Sequence, residues 1–166
     1  MNQRTKTILM WVLYAALFLF AMLLQTVLFG RLRVFGVKLT LLPVAVVCIG
    51  LRTGHEHGAL FGLAAGLLWQ LTGADNGALA IVSFTLCGML AGWLCTSLFP
   101  RRFGPCLLLC LGALLLHEGA AFLLKYYLEG APFSLIRWVF AAAGLSMLSC
   151  PVIYGLSKAI GKVGGV

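Results

Sequence analysis

Read from its first residue, the chain alternates long apolar runs with short polar or turn-forming breaks. Uncharged or nearly uncharged runs fall at residues 8–29, 39–51, 58–74, 77–99, 105–128 and 134–157. Crossing about 30 Å of hydrocarbon takes about 20 helical residues, and lipid offers no partner to an open sheet edge. The pattern therefore predicts an all-α, polytopic helical membrane protein with about six transmembrane helices in a single integral membrane domain, 1–166. The second run is short. Bounded by Lys38 and Arg52, it is only about 20 Å long as a helix. Either those charges snorkel outward, with residues 34–35 extending the run, or the segment dips in without crossing. Pro43 near its start fits a first helical turn or a kink.

The breaks carry turn chemistry. Gly73-Ala74-Asp75-Asn76-Gly77 is a tight turn of residues that tolerate unusual backbone angles. Pro100-Arg101-Arg102-Phe103-Gly104-Pro105 ends the fourth run, and Glu129-Gly130-Ala131-Pro132 ends the fifth. The first run follows Arg4 and Lys6 and is too long for a signal-peptide core, and Gln25-Thr26-Val27 is no cleavage site. It reads as a retained anchor helix. With six spans and a cytoplasmic N-terminus, Arg4, Lys6, Arg52, Arg101, Arg102, Lys158 and Lys162 lie inside. Arg31, Arg33, Lys38, Lys125 and Arg137 lie outside. The bias toward the inside and the two basic ends favour both termini in the cytoplasm. The Arg31, Arg33, Lys38 cluster opposes it.

Composition excludes whole classes. The chain is 62% hydrophobic and only 10% charged, too few polar residues to cover a soluble domain. Its net charge of +8 comes from Lys and Arg flanking apolar runs, where they set topology and meet anionic headgroups. No aromatic–basic cluster suggests nucleic acid. Cys48, Cys87, Cys95, Cys106, Cys110 and Cys150 all lie in apolar runs and read as small, soft apolar side chains, not disulfides. Cys106 and Cys110 share a helix face, but that spacing alone is a poor metal signature. No cofactor or metal is expected.

A few residues stand out. Gly58, Gly62 and Gly66 share one helix face. Missing side chains let another backbone approach closely, which matters where lipid supplies no hydrophobic drive between helices. That neighbour is either another span of the chain or a partner protein. Gln70 lies one step further along. Glu118 is the acid well inside a span, and such residues face the bundle interior with partners. Its candidate partners are Arg137, Gln25 and Thr26. Structural hydrogen bonding, partner recognition and proton or ion transfer stay open for it. His55-Glu56-His57 lacks metal-binding His spacing and reads as a solvated loop. No nucleophile has an evident base in sequence, and no phosphate loop follows a strand, so an enzyme is not expected.

Several of these features occur in a familiar order. Gln25-Thr26 ends the first span. Gly-Ala-Leu-Phe-Gly-Leu-Ala-Ala-Gly-Leu-Leu-Trp-Gln fills 58–70, and Gly77 opens the fourth span. Phe35-Gly36 sits in the basic stretch before the second, Leu-His-Glu at 116–118 in the fifth, and Arg137 and Pro151 in the sixth. Across nearly the whole chain this set resembles the rod-shape-determining MreD family, with Gln70 standing where that family usually has Asp. The resemblance implies a non-catalytic scaffold subunit of the bacterial cell-wall elongation complex in the cytoplasmic (inner) membrane, controlling cell shape. It implies an MreC-like membrane partner and, through it, an MreB-like filament, a RodA-like glycosyltransferase and a penicillin-binding transpeptidase. It also implies a fold similar to the substrate-binding component of energy-coupling-factor transporters. On this reading Gly58, Gly62, Gly66, Gln70, Gln25, Glu118 and Arg137 are the partner or helix-packing residues. The alternative is a vitamin-binding transporter component, with Trp69, Gln70, Asp75, Asn76, Trp93, Glu118 and Tyr126 as scattered candidate liners.

Overall fold

A computed structural model of the chain describes residues 3–29, 33–34, 37–72, 77–97, 103–130 and 132–164. The turn at 73–76, the Phe35-Gly36 pair, Arg31 and the Arg101-Arg102 pair lie outside them. Among the described residues the regular structure is helical apart from one short antiparallel strand pair. Helix α1 (Gln3–Leu24) runs into a π-helical turn, Gln25–Phe29. Strands β1 (Arg33–Val34) and β2 (Val37–Lys38) pair antiparallel, with Arg33 opposite Lys38. There follow α2 (Leu42–Thr53), α3 (His55–Leu71), α4 (Gly77–Ser97), α5 (Phe103–Glu129), α6 (Ile136–Met147) and α7 (Cys150–Gly164).

Among the described residues, three helical stretches are long and apolar enough to cross a membrane: Arg4–Val27, Ala78–Ser97 and Phe103–Glu129. A fourth forms if Phe133–Met147 and Cys150–Lys162, bent by 42°, are taken as one broken span. The bend has a local cause. Pro151 has no amide to give and its ring crowds the carbonyl four residues back, so α6 stops at Met147. The sequence reading of six runs thus meets three to four spanning helices. The difference lies in the second and third runs. At 12 residues, α2 is about 18 Å long, and α3 at 17 residues is about 26 Å.

The short α2 is the centre of the molecule. Every residue from Leu42 to Arg52 is buried, which is why this segment is apolar on all sides instead of amphipathic. Val44, Val47, Cys48 and Leu51 join one core with α4, α5 and α7, and Leu42, Val46 and Ile49 join a second with α1, α3 and α4. Pro43 sits in its first turn, where a missing amide costs nothing. Gly54 ends it at φ 92°, a backbone region that favours glycine, with its amide on the Gly50 carbonyl at 2.9 Å. The chain there turns sharply into α3.

Glycines set how closely the helices meet. Gly58, Gly62 and Gly66 are buried and face α4, not lipid. A Cβ on Gly62 would overlap the Phe84 carbonyl, and one on Gly66 the Ile81 Cα. Gly50 of α2, Gly58 of α3 and Gly88 of α4 form a three-way junction. A Cβ on Gly50 would lie 2.7 Å from the Gly88 carbonyl oxygen, and one on Gly58 2.9 Å from the Gly50 Cα. Further along, Gly92 lies against the backbone of Gly54 and His55. Such backbone-on-backbone contact gives dispersion and weak polar attraction that lipid cannot match.

Gly62→Leu should destabilise the bundle by about 1–3 kcal/mol or more, read as a lower midpoint in thermal unfolding of detergent-solubilised protein. Gly144→Ala, whose Cβ meets nothing within 4 Å, should hold or raise that midpoint, since glycine inside a helix costs about 0.5–1 kcal/mol relative to alanine. Equal midpoints for wild type and Gly62→Leu would mean that α3 and α4 do not pack on this face.

Candidate functional site

Between β2 and α2 the backbone at Leu39, Thr40 and Leu41 belongs to neither helix nor ladder. Thr40 and Leu41 are nonetheless buried. Backbone polar groups inside a membrane protein must find partners within the protein, and here side chains from two other elements supply them, while a third holds the Thr40 hydroxyl. Gln25 works at both ends of its amide: Nε2 donates to the Leu39 carbonyl at 2.9 Å, and Oε1 accepts from the Leu41 amide at 2.6 Å. The Thr40 amide donates to Ser146 Oγ of α6 at 3.0 Å. The Thr40 hydroxyl donates to Glu118 Oε1 of α5 at 3.1 Å and lies 3.4 Å from Ser146 Oγ. The Leu41 carbonyl accepts from the Ala45 amide and begins α2.

Local structure aims these groups. The π-helical turn that ends α1 begins at Gln25, and one extra residue per turn re-aims a side chain. Thr26, next in sequence, closes back on its own helix through the Met22 carbonyl at 2.6 Å. Ser146 stands in the last turn of α6, just ahead of the Pro151 break, where its own carbonyl accepts from the Ser149 hydroxyl and amide. The clasp thus ties α1, α5 and α6 to the start of α2.

A second polar pair lies deeper. Ser83 Oγ of α4 is 2.8 Å from His117 Nδ1 of α5, and both residues are buried. The imidazole is flanked by Phe84 at 4.6 Å and Trp69 at 6.5 Å between ring centroids. The neighbouring Glu118 carboxylate is held by Thr40 instead of the imidazole. The arrangement seals a serine–histidine contact between aromatic rings and joins α3, α4 and α5.

The residues singled out in the sequence therefore divide. Gln25 and Glu118 meet at the clasp, and Gly58, Gly62 and Gly66 line the α3–α4 contact. Gln70 is exposed in the last turn of α3, and Arg137 is exposed in the first turn of α6, 5.8 Å from the ring of its neighbour Trp138. Among the described residues the hydrogen-bond partner of Glu118 is Thr40, not Arg137, Gln25 or Thr26. Thr40, Ser146 and Ser83 were missed. Their only sequence signal is a small hydroxyl inside an apolar run, which many helices carry without consequence. Four of the six cysteines, Cys48, Cys106, Cys110 and Cys150, also converge.

Replacing Gln25 by Leu strips partners from the part-buried Leu39 carbonyl and the buried Leu41 amide, and a buried polar group left unmade costs about 1–3 kcal/mol. A loss of that order is expected in detergent unfolding. Glu118→Gln keeps an oxygen that accepts from Thr40 and should stay within about 0.5 kcal/mol of wild type, while Glu118→Leu should fall well below it. Equal losses for the Gln and Leu variants would show that the charge, not the hydrogen bond, is what the bundle uses. Compared with family models, with curated proteins and with solved structures, the chain matches none.

Proposed function

We propose that this chain is a non-catalytic scaffold subunit of the bacterial cell-wall elongation complex, of the MreD kind, lying in the cytoplasmic membrane with both termini inside. One observation carries the reading. The ordered motif set that resembles that family includes Gln25 and Glu118, far apart in the chain, and these two residues hold the same buried segment. Two members of the set thus serve one architectural contact, the kind of role a scaffold subunit needs. Six crossings and the energy-coupling-factor type of fold belong to this proposal, with α2 and α3 supplying the two short segments.

A scaffold needs a free face. The Gly58, Gly62, Gly66 face is occupied by α4, so a partner helix docks elsewhere. Between α4 and α5 runs an apolar groove of about 230 Å³, lined by Leu90, Leu94, Leu108, Gly112 and Leu116 among others. Gly112 has open space above it, which suits close approach of another helix. A single-span, MreC-like partner fits such a groove, and through it the MreB-like filament, RodA-like glycosyltransferase and penicillin-binding transpeptidase are reached. A vitamin site needs convergent polar groups, and this lining is apolar.

The test is co-purification from solubilised membranes. Tagged wild-type protein should bring down an MreC-like protein. Gly112→Trp should lose it while keeping the unfolding midpoint, because Gly112 is exposed and its new side chain enters an open groove instead of displacing packed atoms. Recovery of no such partner by wild type would sink the assignment. Full recovery by Gly112→Trp would move the contact to another face.

A further inference from the structure

Cys48 of α2, Cys106 and Cys110 of α5, and Cys150 of α7 are all fully buried, and their four sulfurs lie within 4.8 Å of one another. We infer that these four cysteines form a site for one thiophilic d10 metal ion, zinc or copper(I), inside the membrane bundle.

The distances fit a single ion. A tetrahedral zinc–thiolate centre with bonds of about 2.3 Å sets its sulfurs about 3.8 Å apart. Cys48 and Cys106 are 3.7 Å apart and Cys106 and Cys110 are 4.0 Å apart, sulfur to sulfur. Disulfides would need about 2.0 Å, and all four are free thiols. The ligands also come from elements that position them. Cys106 and Cys110 are one turn apart on α5, on the same face. Cys150 is the first residue of α7, just past the break that Pro151 makes between α6 and α7. Cys87 and Cys95 stay outside the group, and Cys87 hydrogen-bonds the Ala113 carbonyl instead. Cysteine used only as an apolar filler has no reason to gather in fours.

A second observation points the same way. Arg52 is buried, and its Nε has no hydrogen-bond partner among the described residues. It stands one turn beyond Cys48 on α2, with its guanidinium 5.7 Å from the ring of Tyr154, itself one turn beyond Cys150 on α7. A buried cation needs an anionic partner. Thiolates on a d10 ion leave the centre with net negative charge, and their displaced protons go to the bulk. Zinc favours four thiolates and tetrahedral geometry, and copper(I) fewer, softer ligands.

Full-length protein purified in detergent under anaerobic, reducing conditions decides the matter. Its zinc, copper and iron content is measured by mass spectrometry, and metal-free protein is titrated with cobalt(II). One ion per chain is expected, with intense thiolate-to-cobalt charge-transfer absorption and the visible bands of a tetrahedral centre. Zinc displacing the cobalt selects the zinc arm. Copper(I) offered in competition with a chromophoric chelator, and bound one per chain, selects the copper arm. Cys106→Ser/Cys110→Ser should abolish the signal, Cys87→Ser/Cys95→Ser should preserve it, and Arg52→Gln should weaken binding about 10–100-fold. Wild-type protein that gives no charge-transfer band and binds neither zinc nor copper(I) overturns the site, whether or not the variants fold. Binding that survives loss of Cys106 and Cys110 overturns it equally.

Discussion

Everything in this fold depends on one constraint: inside lipid, a backbone amide or carbonyl that leaves a helix must be met by another part of the protein. At residues 39–41 the chain leaves regular structure while Thr40 and Leu41 are already buried. The Gln25 side chain answers two of those groups, and Ser146 a third. Because the answering residues sit on the π turn and on α6, the solution also fixes where those elements stand. A neutral amide is well chosen. It donates and accepts at once, and it carries no charge to be desolvated. Polar chemistry here serves architecture before anything else.

The constraint explains the central helix. A helix this short can sit at the middle of a bundle only if both its ends are satisfied. At its start α2 has the clasp and a proline that needs no acceptor. At its end Gly54 folds back to the Gly50 carbonyl, and Thr53 closes on the Ile49 carbonyl at 2.9 Å. In between, glycine replaces side chains where α3 and α4 cross it. Ser157 of α7 donates to the Cys48 carbonyl at 3.0 Å, adding a polar tie on the α7 side. The helix is held along its length by neighbours from nearly every other element.

How much of this was legible in the sequence follows from the same physics. Apolar runs and turn residues locate most helices, because length and hydropathy are local properties. The Gly58, Gly62, Gly66 spacing reveals a contact face, but not which helix fills it. The fate of the second run was open: Pro43 and Arg52 bracket a segment whose burial on all sides is a tertiary fact. Glu118 was recognisable as a buried acid in need of a partner, yet Thr40 lies 78 positions away and nothing in either neighbourhood names the other. The cysteines show the limit most clearly. Cys106 and Cys110 share a face by spacing alone, a weak signal. Only the fold brings Cys48 and Cys150 to it.

Arg52 stands apart from this pattern of satisfied polar groups. It ends a helix that is otherwise apolar, and a snorkelling side chain at a span end reaches headgroups or water. This one is instead buried against Tyr154, with Nε unanswered among the described residues. The fold answers backbone groups at 39–41 and at Gly54 with care. A bare guanidinium nitrogen is out of character with it. Steric necessity does not explain the residue either, since a leucine or methionine would fill the same stem volume without a charge. The Tyr154 ring face supplies part of the electrostatic partner, and the metal–thiolate centre proposed for Cys48 and its three neighbours, one turn back along α2, would supply the rest.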